Sequence, residues 1–405
     1  MINTEKVRKD FPLFQEKIGN KPIVYFDNAC QSLRPLQVIE AMNEYYQKYP
    51  ACGGRSMHKL GEIVTNKIDN ARKTIAKFIK AKRKEEIIFT RNTTEGINLV
   101  ARSLDLRQGD VVVTTDKEHN SNLIPWQILS KKERIVHKIV PSKNDNTFDL
   151  DAFAKIMNDK VKLVSMVYTS NLDGVTIPAQ EIIKIAHQYG AKVLLDAAQA
   201  APHQEIDVSK LDVDFLAFSG HKMLGPSGTG ILYGKYHLME ELEPFLVGGN
   251  TVEYSTYESH KLLPPPEKFE AGLQDYAGII GLGEAVKYLN QIGFESIAEH
   301  EYKLNKFITE EIVKIPGLKI IGPFDPALRG GIISFYIDGV DSHQIALILD
   351  ETANIMIRSG QHCVHSWFAS RKIQSSVRVS LCFYNTLEEA GIFVENFNKF
   401  IKLYH

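Results

Sequence analysis

The 405-residue chain holds only four cysteines and two tryptophans. The cysteines, Cys30, Cys52, Cys363 and Cys382, are spaced neither as a zinc site nor as a disulfide framework. Thiols are therefore expected, most of them as buried small hydrophobes. Neither charge is in excess: 48 basic and 49 acidic residues leave a net charge of −1. That balance argues against a general nucleic-acid binder but leaves a small anionic ligand open. No apolar run is long enough to span a bilayer. The first residues, Met-Ile-Asn-Thr-Glu-Lys, lack the apolar stretch of a secretory signal. The cytoplasm is thus the expected location, with no membrane partner. Repeats, low-complexity tracts, like-charge blocks and metal-ligand clusters are also missing. What remains is an ordinary globular composition, 44% hydrophobic and 24% charged, which excludes wholesale disorder. The length suits two or three domain-sized units, or one large domain with a smaller companion.

The middle of the chain alternates short apolar runs with helical spacing. Lys162–Tyr168, Val193–Leu195 and Phe215–Phe218 read as buried strands. Between the first two, Pro178 opens a helix carrying Ile182, Ile183, Ala186 and Tyr189, and Gly190 stops it. Strand, crossover helix and strand predict a parallel sheet with helices on both faces. Lys80–Glu86 mixes both charges and reads as a solvated helix end before the strand Ile87–Phe89. Pro264-Pro265-Pro266 reads as a stiff loop. Further on, helices near 281–289 and 299–315 precede strands at 331–336 and 376–381, and a last helix covers about 387–403. This predicts a smaller α+β domain, completed by the N-terminal helix.

In parallel sheets ligands gather beyond the carboxyl ends of strands. Asn171, Asp196, Gln199, Ser219, His221 and Lys222 all fall just past predicted strand ends. A lysine buried at such a place has its proton affinity lowered and can form a Schiff base; the plain alternative is an exposed loop lysine. Asp196 closes an apolar strand, where a carboxylate can keep a pyridoxal ring nitrogen protonated or simply cap a helix. Arg91-Asn92-Thr93-Thr94-Glu95-Gly96 follows a strand and opens a helix. Its N–H groups and hydroxyls suit a phosphate, or only cap the helix. His119, in Glu118-His119-Asn120-Ser121-Asn122, can lie flat on a ring or be an ordinary loop residue.

Together these segments resemble the class V aminotransferase family, fold type I pyridoxal-phosphate enzymes, and within it the SufS-type cysteine desulfurases. The resemblance runs through Tyr25–Ala29, Arg91–Ala101, Glu118–Asn122, Asp196–Ala200, Phe218–Tyr233, Phe269–Gly272, Gly278–Gly283 and Arg358–Cys363. It implies a large domain at 20–275, with a mainly parallel seven-stranded sheet between helices. A small domain at 276–405, joined by 1–19, would carry the cysteine loop. The implied cofactor is pyridoxal 5'-phosphate. Lys222 would carry it, Asp196 would pair with its ring nitrogen, Gln199 with its phenolic oxygen, and His119 would stack on the ring. Thr93, Thr94, Ser219 and His221 would hold its phosphate. Asn171 would lie beside cofactor and substrate, and Arg378 and Arg358 would bind the substrate carboxylate.

Cys363 sets the implied chemistry. It lies in Arg358-Ser359-Gly360-Gln361-His362-Cys363, with an arginine and a histidine nearby, surroundings in which cysteines act as nucleophiles. The resemblance implies conversion of L-cysteine to L-alanine, with a persulfide left on Cys363. That sulfur would go to an acceptor protein, for iron–sulfur cluster assembly, and the enzyme would be a homodimer. Selenocysteine lyase activity, another C–S lyase or epimerase on the same scaffold, a kynureninase-like hydrolase and a catalytically silent scaffold are the alternatives. The sequence departs from the family pattern in four places. Asp27-Asn28-Ala29-Cys30-Gln31-Ser32 brings a cysteine near the site. The first histidine of the element at Gly54–His58 is missing. Leu273 stands where relatives place a threonine that reaches the partner's phosphate, and leucine donates no hydrogen bond. Val364-His365-Ser366-Trp367 follows the cysteine in place of Ala-x-Pro. A sulfur relay from Cys363 to Cys30 or Cys52 stands against the simpler reading of both as structural thiols.

Overall fold

The computed structural model describes residues 2–404. Seven strands form the main sheet: β1 Ile87–Thr90, β2 Val111–Thr115, β3 Val136–Val140, β4 Val161–Val167, β5 Lys192–Asp196, β6 Phe215–Ser219 and β7 Gly230–Gly234. Their spatial order is β1-β7-β6-β5-β4-β2-β3. The neighbours from β6 through to β3 run parallel, and β7 is antiparallel to both β6 and β1. The central strands are nearly continuous runs of Val, Ile, Leu and Phe, every residue of β2, β6 and β7 being buried. Such runs form where helices cover both faces of a sheet.

Register brings the site residues to one edge. Asp196 is level with Val167 on one side and Ala217 on the other. Gly230 pairs with Ser219 and, across its other face, with Thr90. Gly230 is therefore the first residue of a reversed strand, lying between two strand ends. A Cβ there would stand 2.6 Å from the Asn92 Cα, so only glycine lets the helix Thr93–Ser103 begin over the sheet edge.

A second sheet is built from β8 Leu318–Ile321, β9 Ile332–Ile337, β10 Arg358–Gly360 and β11 Ser376–Ser380, in the order β8-β9-β11-β10. The helices Phe294–Ile312, Ser342–Ala353 and Leu387–Tyr404 enclose a second core around Phe335, Phe393 and Phe397. Two segments tie the sheets together. The N-terminal helix Thr4–Arg8 sends Arg8 to Glu389, at 2.8 Å, while Val7 and Phe11 enter the larger core. Residues 24–29 lie against β11, with Ser380 N–H donating to Phe26 O and Ala29 N–H to Ser380 Oγ. The helix Tyr276–Ile292 packs its apolar face into the larger core.

The segment 80–86 differs from the solvated helix end expected of it. Its helix ends at Phe78, and Glu86 is buried. The Glu86 carboxylate accepts from the N–H groups of Lys82, Arg83 and Tyr236, so a local mixture of charges conceals an inward-turned cap. Among the described residues no helix is long and apolar enough to cross a membrane.

Gly230→Ala is expected to cost about 1–3 kcal/mol through the clash with the Asn92 backbone. A urea titration checks this; an unchanged midpoint would mean that the helix start yields freely.

Candidate active site

A cavity of about 260 Å³ opens over the edge formed by β1, β7, β6, β5 and β4. Every residue singled out from the sequence lines it: Thr93, Thr94, His119, Asn171, Asp196, Gln199, Ser219, His221, Lys222, Arg358, Cys363 and Arg378. Ser121 and Thr169, to which sequence reasoning gave no role, line it as well, as does His362.

Lys222 follows β6 in a single tight turn, Gly220–Lys222. Gly220 is needed there, because a Cβ would stand 2.2 Å from Thr229 Oγ1. Among the described residues none forms a hydrogen bond or ion pair with the Lys222 side chain. Burial pushes its proton affinity down, Asp196 draws it back up, and Arg378 lowers it further. Asp196 is buried as well, which raises its pKa, and one carboxylate oxygen accepts from Ala198 N–H at 3.0 Å. Gln199 Nε2 donates to Ala29 O at 2.7 Å, fixing the segment that carries Cys30.

The hydroxyl groups gather at the start of the helix Thr93–Ser103. Thr93 N–H donates to Ser219 Oγ at 2.9 Å, and the two hydroxyls are 2.6 Å apart. Thr94 Oγ1 lies 2.7 Å from Ser121 Oγ. Asn92 Oδ1 caps the helix by accepting from Glu95 N–H. The positive helix end with its hydroxyls suits an anion.

His119 caps the helix Asn120–Lys132, its Nδ1 accepting from Ser121 N–H at 3.1 Å. An accepting Nδ1 places the ring proton on Nε2. Burial, then the charges of Lys222, Arg378 and His365, lower its pKa to about 3. His221 falls to about 4, through burial and the charges of Lys222 and Arg34. Glu118, missed as a contributor, anchors this turn. It is buried and accepts from Thr115 N–H and Oγ1–H, Asn122 Nδ2–H and Val167 N–H. Burial raises its pKa to about 7 against those donors. Its only signal in the sequence is an acidic residue three positions past the end of a buried strand.

The cysteine loop is held from the main sheet. Asn171 Nδ2 donates to His362 O at 2.7 Å, and Asn120 N–H to Cys363 O at 2.7 Å. His362 and Cys363 take φ of 49° and 59°, a left-handed pair unusual outside glycine. His362 differs from the charged neighbour expected beside the cysteine. It is buried, Nε2 lies 2.8 Å from Ser376 Oγ, and burial holds its pKa well below the usual value. The positive groups that share the cavity with Cys363 are therefore Lys222, Arg358 and Arg378. Arg378 is buried on β11, level with Arg358 on β10. Its Nη1 donates to Asn171 O at 3.0 Å, and its Nη2 lies 3.5 Å from Asp27. Asp27, also missed, lies between both guanidiniums, with Arg358 at 3.7 Å.

Among the described residues, three that line the cavity carry a buried polar atom without a partner: Arg378 Nε, Asn171 Oδ1 and His362 Nδ1. Buried polar atoms without partners mark where a ligand belongs. A free lysine, a buried carboxylate, an anion site and an unsatisfied guanidinium fit pyridoxal phosphate with an amino-acid substrate. Among the described residues no group of three or more His, Cys, Asp or Glu could hold a metal ion.

The family model of class-V aminotransferases matches residues 24–393. The chain belongs to that family. It is 38% identical over 401 residues to a "probable cysteine desulfurase" of Halalkalibacterium halodurans, covering 98% of each chain. It superposes with a TM-score of 0.94 on the apo structure of a cysteine desulfurase from Thermococcus onnurineus, at 40% identity and 99% coverage of both chains. An Escherichia coli cysteine desulfurase gives 0.92 at 29% identity, covering 100% of this chain and 99% of that one.

The depressed histidines predict a pH dependence of stability. His119 prefers the unprotonated form in the folded state, so its contribution is present above pH 6.5 and lost as pH falls toward 3. Lowering the pH from 7 to 4.5 is expected to destabilise the native protein more than His119→Asn, by up to about 1.4 kcal/mol per pH unit. Parallel urea midpoints for the two proteins across this range would refute the assignment.

Proposed function

We propose that the protein is a pyridoxal-phosphate-dependent cysteine desulfurase that converts L-cysteine to L-alanine and retains the sulfur as a persulfide on Cys363. The observation that carries this reading is the seating of Cys363. Its loop is fastened by Asn171 and Asn120 over the cavity that contains Lys222. A lyase, an epimerase or a hydrolase on this scaffold needs the lysine and the aspartate but no thiol there. The names of the relatives agree with the same activity.

When bound, the cofactor supplies an electron-withdrawing ring that stabilises negative charge on the substrate's Cα. Lys222 anchors that group and moves the Cα proton. Burial lowers its proton affinity, which helps Nζ to release a proton. Asp196 would hold the proton on the ring nitrogen, Gln199 would bond the phenolic oxygen, and the uncharged His119 would lie beside the ring. Thr93, Thr94, Ser219 and His221 would bind the phosphate. Arg378 binds the substrate carboxylate through its free Nε–H, with Arg358 and Asn171 beside it. Cys363 Sγ then forms a bond to the substrate sulfur as the Cβ–S bond breaks. The carbon fragment keeps that electron pair, is protonated and leaves as alanine. One cysteine and one thiol thus become one alanine and one persulfide.

The protein acts in the cytoplasm as a homodimer and passes its sulfur to an acceptor protein, for iron–sulfur cluster assembly. Support for the dimer comes from the stretch 243–273, which exposes Phe245, Leu246, Val247, Tyr254, Tyr257 and Leu273. Apolar surface of this kind is usually covered by a second subunit.

Cys363→Ala is expected to lower alanine formation from L-cysteine by about 100-fold or more while Lys222 still binds the cofactor. Arg378→Lys is expected to raise KM for L-cysteine about tenfold or more, through loss of the free Nε–H donor fixed by the guanidinium's other contacts. Steady-state alanine assays with an absorbance spectrum of each variant check both. Undiminished alanine from Cys363→Ala would remove Cys363 from the reaction, and pyruvate in place of alanine would transfer the assignment to a lyase.

A further inference from the structure

Two thiols, not one, line the active-site cavity. Cys30 stands with Cys363 among its walls, whereas Cys52 is exposed on a separate loop and Cys382 is buried away from it. Cys30 is fixed from three sides. Its own N–H donates to Asp27 O at 3.1 Å, and the preceding Ala29 is held by Ser380 Oγ at 2.9 Å and by Gln199 at 2.7 Å. Cys363 is fixed by Asn120 N–H on its carbonyl. Both thiols are near enough to Lys222 to act on its charge. The two come from distant stretches of chain, the turn after Tyr25 and the loop after β10, brought to one cavity by the bridge of residues 24–29 to β11.

Cys363 is exposed and Cys30 only half-buried, deeper beside Lys222 and Arg378. A sulfur moved inward to Cys30 would be further from any acceptor protein, so Cys30 is poorly placed as an outward relay. It is well placed to discharge sulfur that no acceptor collects. We propose that Cys30 resolves the Cys363 persulfide, closing a Cys30–Cys363 disulfide and expelling hydrogen sulfide. This rests on the desulfurase reading above. In that step the Cys30 sulfur attacks Sγ of Cys363, and the bond between Sγ and the outer sulfur breaks. The outer sulfur leaves with the bonding pair and takes up the Cys30 proton. Cys30 is oxidised, the outer sulfur is reduced to sulfide, and no external oxidant is needed. Attack on the outer sulfur is reversible and yields only a persulfide on Cys30. Attack on the inner sulfur loses a volatile product, so it is the branch that accumulates. The disulfide blocks Cys363 and fills the cavity mouth, which stops turnover until a thiol reductant reopens it. Sulfur flow is thereby limited to periods when an acceptor is present.

The test uses the reduced holoenzyme under anaerobic conditions, with two equivalents of L-cysteine and no acceptor. Samples are quenched over time with an alkylating reagent and digested. Mass spectrometry then follows the Cys363 peptide while alanine and sulfide are quantified. The expected course is a persulfide on Cys363 that decays as a Cys30–Cys363 cross-linked peptide and an equal amount of sulfide appear. In Cys30→Ser the persulfide is expected to form at the same rate and to persist at least about tenfold longer. Cys52→Ser is expected to behave as the native protein. A Cys363 persulfide that persists equally in the native protein and in Cys30→Ser, with no cross-link, overturns the proposal. A second arm treats the holoenzyme with diamide in place of L-cysteine. Failure of diamide to join Cys30 to Cys363 overturns the pairing whatever the activity. Absence of alanine in the first arm fails the desulfurase reading and the sulfide-releasing step with it, and the diamide arm still reports on the thiol pair itself.

Discussion

The buried guanidinium of Arg378 is the point on which both halves of the molecule converge. One nitrogen donates to Asn171 O at the end of the main sheet, and another faces Asp27 in the segment that bridges to β11. Asn171 uses its side-chain amide to hold His362 O, next to Cys363. One ionic side chain therefore fixes the distance between the sheet edge that carries Lys222 and the loop that carries the thiol. An arginine this deeply buried is tolerable only with most of its donors satisfied. The remaining Nε has no partner within the protein, so the scaffold holds the arginine while leaving one donor for a ligand.

The electrostatics follow from the same burial. His119, His221 and His362 are all held uncharged, so the positive charge in the cavity is confined to lysine and arginine. A low-dielectric cavity with fixed cations and an open helix end favours ligands with separate anionic groups, such as a phosphate and a carboxylate. Among the described residues Asp196 is the only carboxylate lining the cavity. Burial raises its pKa and lowers that of Lys222, while the attraction between the two opposes both shifts.

Much of the fold was legible because the central strands are unbroken apolar runs, each ending in a polar residue. Val193–Asp196 and Phe215–Ser219 announce both a buried strand and a site at its end. The reversal of β7 was not legible. Its orientation is set by pairing with β1 and β6, and the local sequence Gly230-Ile231-Leu232-Tyr233-Gly234 would serve either direction equally well. The polar residues beyond strand ends were readable by position, whereas Arg358, Cys363 and Arg378 were reached through family resemblance, because residues so remote in sequence carry no local sign of meeting the first group. Glu86, Asp27 and Glu118 escaped for a related reason. A carboxylate in a short polar stretch looks solvated until the backbone N–H groups it accepts from are brought to it by folding. The neutrality of His362 likewise depends on enclosure by distant residues, and proximity to an arginine in the sequence suggested the opposite.

The central claim is that Lys222 and Cys363 act on one substrate in one cavity. The most direct measurement is a single-turnover reaction of the holoenzyme with sulfur-labelled L-cysteine, quenched early and resolved peptide by peptide. The account predicts label on the peptide containing Cys363, in step with one alanine per labelled thiol. Alanine formed with label only in free sulfide from the earliest time point, and none on Cys363, would contradict it.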